Sequence, residues 1–345
     1  MIPIQNIYYM LSYAFQVLNE QGYKNIATEQ FNNTAELMAA ILEKGIAIQL
    51  KRGLGKEYIL QTEALSSLRG KIDIAESIKT QSMLRKQLIC TYDEFSVNSI
   101  MNRIIKSTVE LLLRSNISKQ RKKNLRKLMV YFSEVDFIDL YTVNWNVQYN
   151  RNNQTYHMLI SICYLVVKGL LQTQSNGHTE LMDFLDEQRM CRLYEKFILE
   201  YYRKEFKNQF TANASQIPWQ LDNEENSMLP VMQSDIMLQS GEKVLIIDAK
   251  YYEHSTQVQF DKHTLHSGNL YQIFTYVKNK EYELREKDHT VSGMLLYAKT
   301  DEEIYPNNVY QMSGNQITVR TLDLNLPFDE IAGQLNTIAK THFDL

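Results

Sequence analysis

Apolar residues return every three or four positions between Met190 and Tyr202, at Met190, Leu193, Tyr194, Phe197, Ile198, Tyr201 and Tyr202. That period puts them on one face of an amphipathic helix. Downstream the pattern shortens. Gln233-Ser234-Asp235-Ile236-Met237-Leu238 and Val244-Leu245-Ile246-Ile247-Asp248-Ala249-Lys250 flank Gln239-Ser240-Gly241-Glu242, which predicts a hairpin within 229–252. A helix near 268–280, a strand near 290–298 and a helix near 328–341 follow. Upstream, residues 5–19 are apolar almost all round and read as a buried helix. A helix over 34–45 is expected to stop at Gly45, after which Ile46-Ala47-Ile48-Gln49-Leu50 alternates like a strand. That strand would turn through Lys51-Arg52-Gly53-Leu54-Gly55-Lys56 and return near Tyr58-Ile59-Leu60. Leu68 to Ile74 reads as a short strand kinked at Gly70, and helices are expected at 98–114, 118–133 and 155–172. The polar stretch from Gln172 to His178 is the linker candidate. The order predicts an α+β N-terminal domain over 1–178 and an α/β domain over 179–345, with a central mixed sheet flanked by helices.

The length of 345 residues suits two cores better than one. Charge is unevenly shared between them. Residues 1–178 hold 21 Lys and Arg against 14 Asp and Glu, a net +7, and residues 179–345 hold 16 against 26, a net −10. A basic half fits a face for nucleic acid or a partner, although two unequally decorated domains would read the same way. No apolar run approaches the roughly 20 residues that span a bilayer. The opening Met1-Ile2-Pro3-Ile4-Gln5-Asn6 lacks a signal-peptide pattern. Cys90, Cys163 and Cys191 are scattered and form no CxxC, which reads as reduced thiols in a cytoplasmic protein.

The hairpin carries the candidate chemistry. Side chains alternate along a strand, so Asp248 and Lys250 share a face from which Ala249 is excluded. A tight turn sets Asp235 opposite Ile246 or Asp248, on that same face in either register. Two carboxylates and an ammonium then meet at one point on a rigid apolar sheet. Phosphodiester hydrolysis uses a hard cation to polarise the phosphate and acidify a water, and carboxylate oxygens suit Mg²⁺. A neighbouring lysine orients the water or offsets charge building on phosphorus. An exposed strand end with a simple Asp248–Lys250 ion pair is the bland alternative.

This pattern resembles the PD-(D/E)xK nuclease superfamily, with Asp235 as the first acidic residue and Asp248-Ala249-Lys250 as the triplet. Ser234 stands where the superfamily's name has proline. Gln272-Ile273-Phe274-Thr275-Tyr276 is similar to the Q-x-x-x-Y helix motif that follows the triplet in several branches, and places Gln272 and Tyr276 one turn apart. Glu195, on the preceding helix, matches a glutamate that assists the metal in the superfamily. The resemblance narrows through Ile2 to Ala14, Leu68-Arg69-Gly70-Lys71-Ile72, Met101 to Lys106, Leu245 to Tyr252 and Asn269-Leu270-Tyr271-Gln272. In order and extent these segments are similar to McrC, the family of nuclease subunits in McrBC-type, 5-methylcytosine-dependent restriction systems. The resemblance implies a restriction-endonuclease-like fold for the second domain and Mg²⁺ held by Asp235 and Asp248. It implies catalytic roles for Asp235, Asp248, Lys250, Gln272, Tyr276 and Glu195. It also implies methylated double-stranded DNA as substrate, paired nuclease domains to cut both strands, and an AAA+ GTPase partner, McrB, on which the N-terminal domain docks.

Other clusters carry less. His254, His263 and His266 fit no standard zinc spacing and read as a loop near DNA. The run Lys119, Arg121, Lys122, Lys123, Arg126 and Lys127 is either a phosphate-contacting patch or a solvated helix face. Gly53-Leu54-Gly55-Lys56 lacks the rest of a Walker loop, in keeping with nucleotide hydrolysis by a separate chain. The basic turn Lys51–Lys56 is the expected piece to enter a partner ring. A stand-alone repair nuclease and a non-catalytic adaptor are the competing readings.

Overall fold

The computed structural model describes residues 2–19, 23, 26, 29, 31–149, 153, 155–176, 187–222, 228–252, 257–259, 262–299 and 305–345. In chain order its elements begin with α1 (Ile4–Ala14), α2 (Thr34–Arg52), β1 (Glu57–Leu65), β2 (Lys71–Asp73), α3 (Ile74–Lys79) and β3 (Leu88–Ser96). Then come α4 (Ile100–Arg114), α5 (Lys119–Met129), α6 (Tyr156–Asn176), α7 (Glu187–Glu205), β4 (Thr211–Asn213), β5 (Gln216–Ile217) and β6 (Met232–Gln233). The rest are β7 (Ile236–Ser240), β8 (Lys243–Lys250), β9 (Gln257–Gln259), β10 (Lys262–Thr264), α8 (Ser267–Glu283), β11 (Thr290–Ala298), β12 (Asn308–Met312), β13 (Asn315–Leu322) and α9 (Phe328–Phe343). The chain forms two compact units, one of residues Thr28–Phe184 and one of Met1–Ala27 with Leu185–Leu345.

The first unit is α+β, with helices α2, α4, α5 and α6 and an antiparallel sheet in the order β1-β3-β2. Helix α2 does not end at Gly45. Its buried positions Leu42, Gly45, Ile46 and Gln49 keep a helical period, which a five-residue apolar alternation cannot be told from. It is capped by Asn33, whose side chain accepts from Glu36 N at 2.8 Å, and it stops at Gly53, where φ is +91°. The expected strand at 46–50 is therefore helix, and the expected basic turn at Lys51–Lys56 is not a hairpin tip. Lys51 and Arg52 form the last helical turn. Gly55 N donates to Tyr156 OH at 2.7 Å, and Asn102 Nδ2 donates to Gly55 O at 2.9 Å. Strand β1 pairs instead with β3 along its whole length, Glu57 with Ser96 through Leu65 with Leu88. The glycine kink is required: Gly70 has φ +66°, and a Cβ there would lie 2.3 Å from Thr91 O. The linker candidate is helical through Asn176, as the end of α6, and its last two residues lie outside the described ones.

The second unit contains a six-stranded mixed sheet in the order β12-β13-β11-β8-β7-β4, with β8–β11 and β11–β13 parallel and the other pairs antiparallel. Helix α8 is the crossover between β8 and β11, the usual device for joining parallel neighbours. It packs Ile273, Tyr276 and Val277 onto Val244 and Ile246 of β8, Val291, Leu295 and Tyr297 of β11, and Ile317 and Val319 of β13. Helices α7 and α9 cover the opposite face.

Residues 1–27 belong to this unit and not to an N-terminal domain. Asn6 Nδ2 donates to Leu324 O and Leu326 O, both at 2.8 Å, and Tyr9 stacks on Phe328 with centroids 4.4 Å apart. Tyr13 OH donates to Glu205 at 2.9 Å. An all-round apolar helix must be buried, but its sequence does not say against which core.

Candidate active site

The β7–β8 hairpin turns through Gly241 and Glu242, with Gly241 at φ +58°, the left-handed conformation such a tight turn needs. Ile236 faces Ile247 and Ser240 faces Lys243, which brings Asp235, just ahead of β7, level with Asp248. Its position is fixed from behind. Ser234 donates twice to Ser215 O, from its backbone N at 3.0 Å and from Oγ at 3.1 Å. A proline at 234 could make neither bond, so the serine anchors the turn that aims Asp235.

Asp235 Oδ2 accepts from Ala249 N at 2.9 Å. Asp248 is 1% exposed. Its Oδ2 is ion-paired with Lys250 Nζ at 2.7 Å. Burial raises the Asp235 carboxyl to about 8, helped by the negative charges of Asp248 and Glu195, with Lys250 pulling the other way. Burial opposes the Lys250 charge, but Asp248 and Asp235 outweigh it and hold the ammonium above its ordinary range.

Helix α8 supplies Gln272, whose Oε1 accepts from Lys250 Nζ at 3.3 Å and whose Nε2 donates to Tyr276 OH at 2.9 Å. Helix α7 supplies Glu195. Burial, with Glu195 beside it, pushes the Cys191 thiol up to about 12, and the protonated thiol donates to Glu195 Oε1 at 3.0 Å. The structure thus brings Asp235, Asp248, Lys250, Gln272 and Tyr276 together, with Glu195 acting on Asp235 through its charge. Among the described residues no three His, Cys, Asp or Glu side chains form a metal-binding group. What the site offers a cation is the Asp235–Asp248 pair.

Three residues here were not expected to have a role at the site, although Tyr252 and Asn269 lie in segments that carry the family resemblance. Asn269 Nδ2 donates to Tyr297 OH at 2.9 Å, and Tyr252 OH donates to Asn269 Oδ1 at 3.4 Å. The i, i+3 spacing of Asn269 and Gln272 was the available signal for the first. Tyr297 faces Lys250 only through the parallel β8–β11 register, which leaves no local trace in the sequence. Of the other clusters, the basic run keeps Lys119, Lys123, Arg126 and Lys127 exposed on α5. His254 lies outside the described residues, as does the His263 side chain, and His266 precedes α8 as its N-cap residue. Arg121 is not free to meet phosphate. It is bound by Glu29 at 2.7 Å, Glu43 at 2.9 Å and Glu36 at 3.2 Å within its own unit.

Residues 5–298 match the family described as McrBC 5-methylcytosine restriction system component. The chain belongs to this family. It is 30% identical over 329 residues to the type IV methyl-directed restriction enzyme EcoKMcrBC of Escherichia coli (strain K12), a match spanning 94% of this chain and 93% of that relative. Membership of the McrBC family agrees with the resemblance read from the sequence segments. Among solved structures, the chain is similar to one in a refined half-complex from the tetradecameric assembly of Thermococcus gammatolerans McrB AAA+ hexamers with bound McrC. There the identity is 18% and the TM-score 0.48, over 97% of this chain and 76% of that one. A chain of the cryo-EM structure of the Thermococcus gammatolerans McrBC complex gives 21% identity and a TM-score of 0.41, over 59% of each chain.

Proposed function

We infer that this McrBC-family chain is the Mg²⁺-dependent endonuclease subunit of a modification-dependent restriction system, with a PD-(D/E)xK site. The observation that carries the reading is the convergence of Asp235, Asp248 and Lys250 on one face of a buried hairpin, in a chain of a restriction family. The residues suit a hard cation. Two carboxylates, one of them fully buried, meet at one point, and burial with its acidic neighbours raises the Asp235 carboxyl. A positive ion at this pair offsets that penalty. Asp235 and Asp248 would hold Mg²⁺, which takes one or two carboxylates, keeps its other positions wet, and when bound acidifies water and polarises the phosphate.

The chain's own groups do the rest. Asp248 keeps Lys250 protonated, so its Nζ presents N–H donors to the water or phosphate oxygen set beside the carboxylates. Gln272 takes one of those N–H groups and is itself braced by Tyr276. Glu195, held by Cys191, adds negative charge behind Asp235. The substrate on this reading is double-stranded DNA carrying 5-methylcytosine. Two copies act together, because one site cuts one strand.

An AAA+ GTPase partner decides when and where. Support for that division of labour is the family's description as a system component and a sequence with no complete nucleotide-binding loop. The test is cleavage of a methylated plasmid by the full chain with the AAA+ protein of its own system, GTP and Mg²⁺. Asp248→Ala and Lys250→Ala should each remove cutting while melting like a folded protein. Cleavage at the wild-type rate by either variant refutes the site.

A further inference from the structure

Helix α8 reaches the sheet with two kinds of contact. Ile273 and Val277 press onto β11 at Gly293, where a Cβ would come within 2.8 Å of both side chains. Such apolar packing draws the helix close but is non-directional, so it does not by itself fix how far α8 slides along the sheet. A slide of one residue is about 1.5 Å along the axis. That is enough to take Gln272 Oε1 from 3.3 Å, already a long bond, out of reach of Lys250 Nζ. Directional bonds hold the far end of α8, where Lys278 Nζ donates to Asn315 Oδ1 at 2.8 Å and Asn279 Oδ1 accepts from Gln220 N at 2.8 Å, and the end near Gln272 has its own.

Asn269 supplies them. It is buried, three residues before Gln272 on the same helix face, and its amide reaches Tyr297 OH at 2.9 Å. Tyr297 is fully buried on β11 and faces Lys250 across the parallel β8–β11 pair. The amide's other end accepts from Tyr252 OH at 3.4 Å, two residues past Lys250 in the chain. Strand β11 and the segment just past β8 are thereby tied to the first turn of α8.

We propose that Asn269 and Tyr297 are positioning residues, whose hydrogen bond sets the register of α8 so that Gln272 meets Lys250. The inference rests on the nuclease reading of this site. Neither residue hydrogen-bonds to the carboxylate pair, although Tyr297 feels the charges of Lys250 and Asp248, and the bond acts through Gln272. Its removal therefore lowers turnover and leaves DNA affinity alone. Tyr297→Phe deletes only the hydroxyl, and Asn269→Leu breaks the same bond from the helix side.

The experiment measures cleavage of a methylated plasmid by the full chain with its AAA+ partner, GTP and Mg²⁺. Tyr297→Phe and Asn269→Leu should each lower kcat roughly tenfold to a hundredfold with KM for DNA unchanged, the range for a displaced reacting group. In a Gln272→Ala background, Tyr297→Phe should cause no further loss, because the route through Gln272 is already gone. Equal loss in both backgrounds marks a general structural role and overturns the proposal, as does wild-type kcat in Tyr297→Phe. Should Asn269→Leu fail to fold, Tyr297→Phe alone decides. Asp248→Ala in the same assay separates the two levels of inference. If it cuts, the nuclease site is wrong. If it is dead while Tyr297→Phe is fully active, only the positioning role falls.

Discussion

Asp235 and His342 show how one environment treats acids and bases oppositely. Burial raises the Asp235 carboxyl and lowers the His342 imidazole, the latter with help from the nearby Lys243 charge. His342 Nε2 is buried without a hydrogen-bonded partner. The folded state therefore binds fewer protons at this site than the unfolded chain, and stability is complete above the ordinary histidine range. It is lost as pH falls from there through the lowered folded value. The raised Asp235 carboxyl works in the opposite sense, so the histidine's share is read against a His342→Phe variant: relative to that variant, the wild type should lose Tm between about pH 7.5 and about pH 5, by about 2–4 °C for each ~1 kcal/mol. The same pH dependence of Tm in both proteins would clear His342 of the effect. The candidate site was more legible than this histidine. Period-two alternation and a Gly-containing turn sufficed to put Asp235, Asp248 and Lys250 on one face. The Ser234 anchor was not legible, because its acceptor, Ser215 O, sits nineteen residues upstream.

Among the elements, α8 is the one whose seating matters most to the site. Gly293 gives it room: an added methyl would lie 2.8 Å from Ile273 Cγ1 and Val277 Cγ2 and 2.9 Å from Ile317 Cδ1, all of them buried. Gly293→Ala should therefore destabilise the protein by about 1–3 kcal/mol, the usual cost of overpacking, and weaken cleavage by lifting Gln272 off Lys250. A denaturation curve superimposable on the wild type would show that α8 yields without strain. The sequence marked α8 and β11 as elements through their patterns but could not show that β11 lies beside β8, since parallel pairing depends on a crossover and not on a turn. The reverse error occurred at α2. Ile46 to Leu50 alternates over too few residues to separate two periods, and the burial of Gly45, Ile46 and Gln49 shows that the helical one won. With that helix went the hairpin expected at Lys51–Lys56, which is instead a helix end and a turn whose Gly55 is tied to Tyr156 and Asn102.

For the whole molecule, the expected boundary near 178 lies close to the observed division between Phe184 and Leu185, but the N-terminal helix crosses it. Asn6, Tyr9 and Tyr13 complete the unit that holds the candidate active site, through contacts with Leu324, Leu326, Phe328 and Glu205. An apolar helix at one end of the chain and its partners more than 190 residues away share no local signal, so this closure could not be read in advance. No helix among the described residues is long and apolar enough to cross a membrane. On the proposed reading, cutting belongs to this McrBC-family chain and nucleotide hydrolysis to another. That separation is directly measurable. With the full chain, its AAA+ partner, GTP, Mg²⁺ and methylated DNA in one reaction, DNA cleavage and phosphate release are followed together for the wild type and Asp248→Ala. Asp248→Ala should abolish cleavage while phosphate release continues at the wild-type rate, and cleavage that persists in Asp248→Ala would contradict a nuclease site at Asp248.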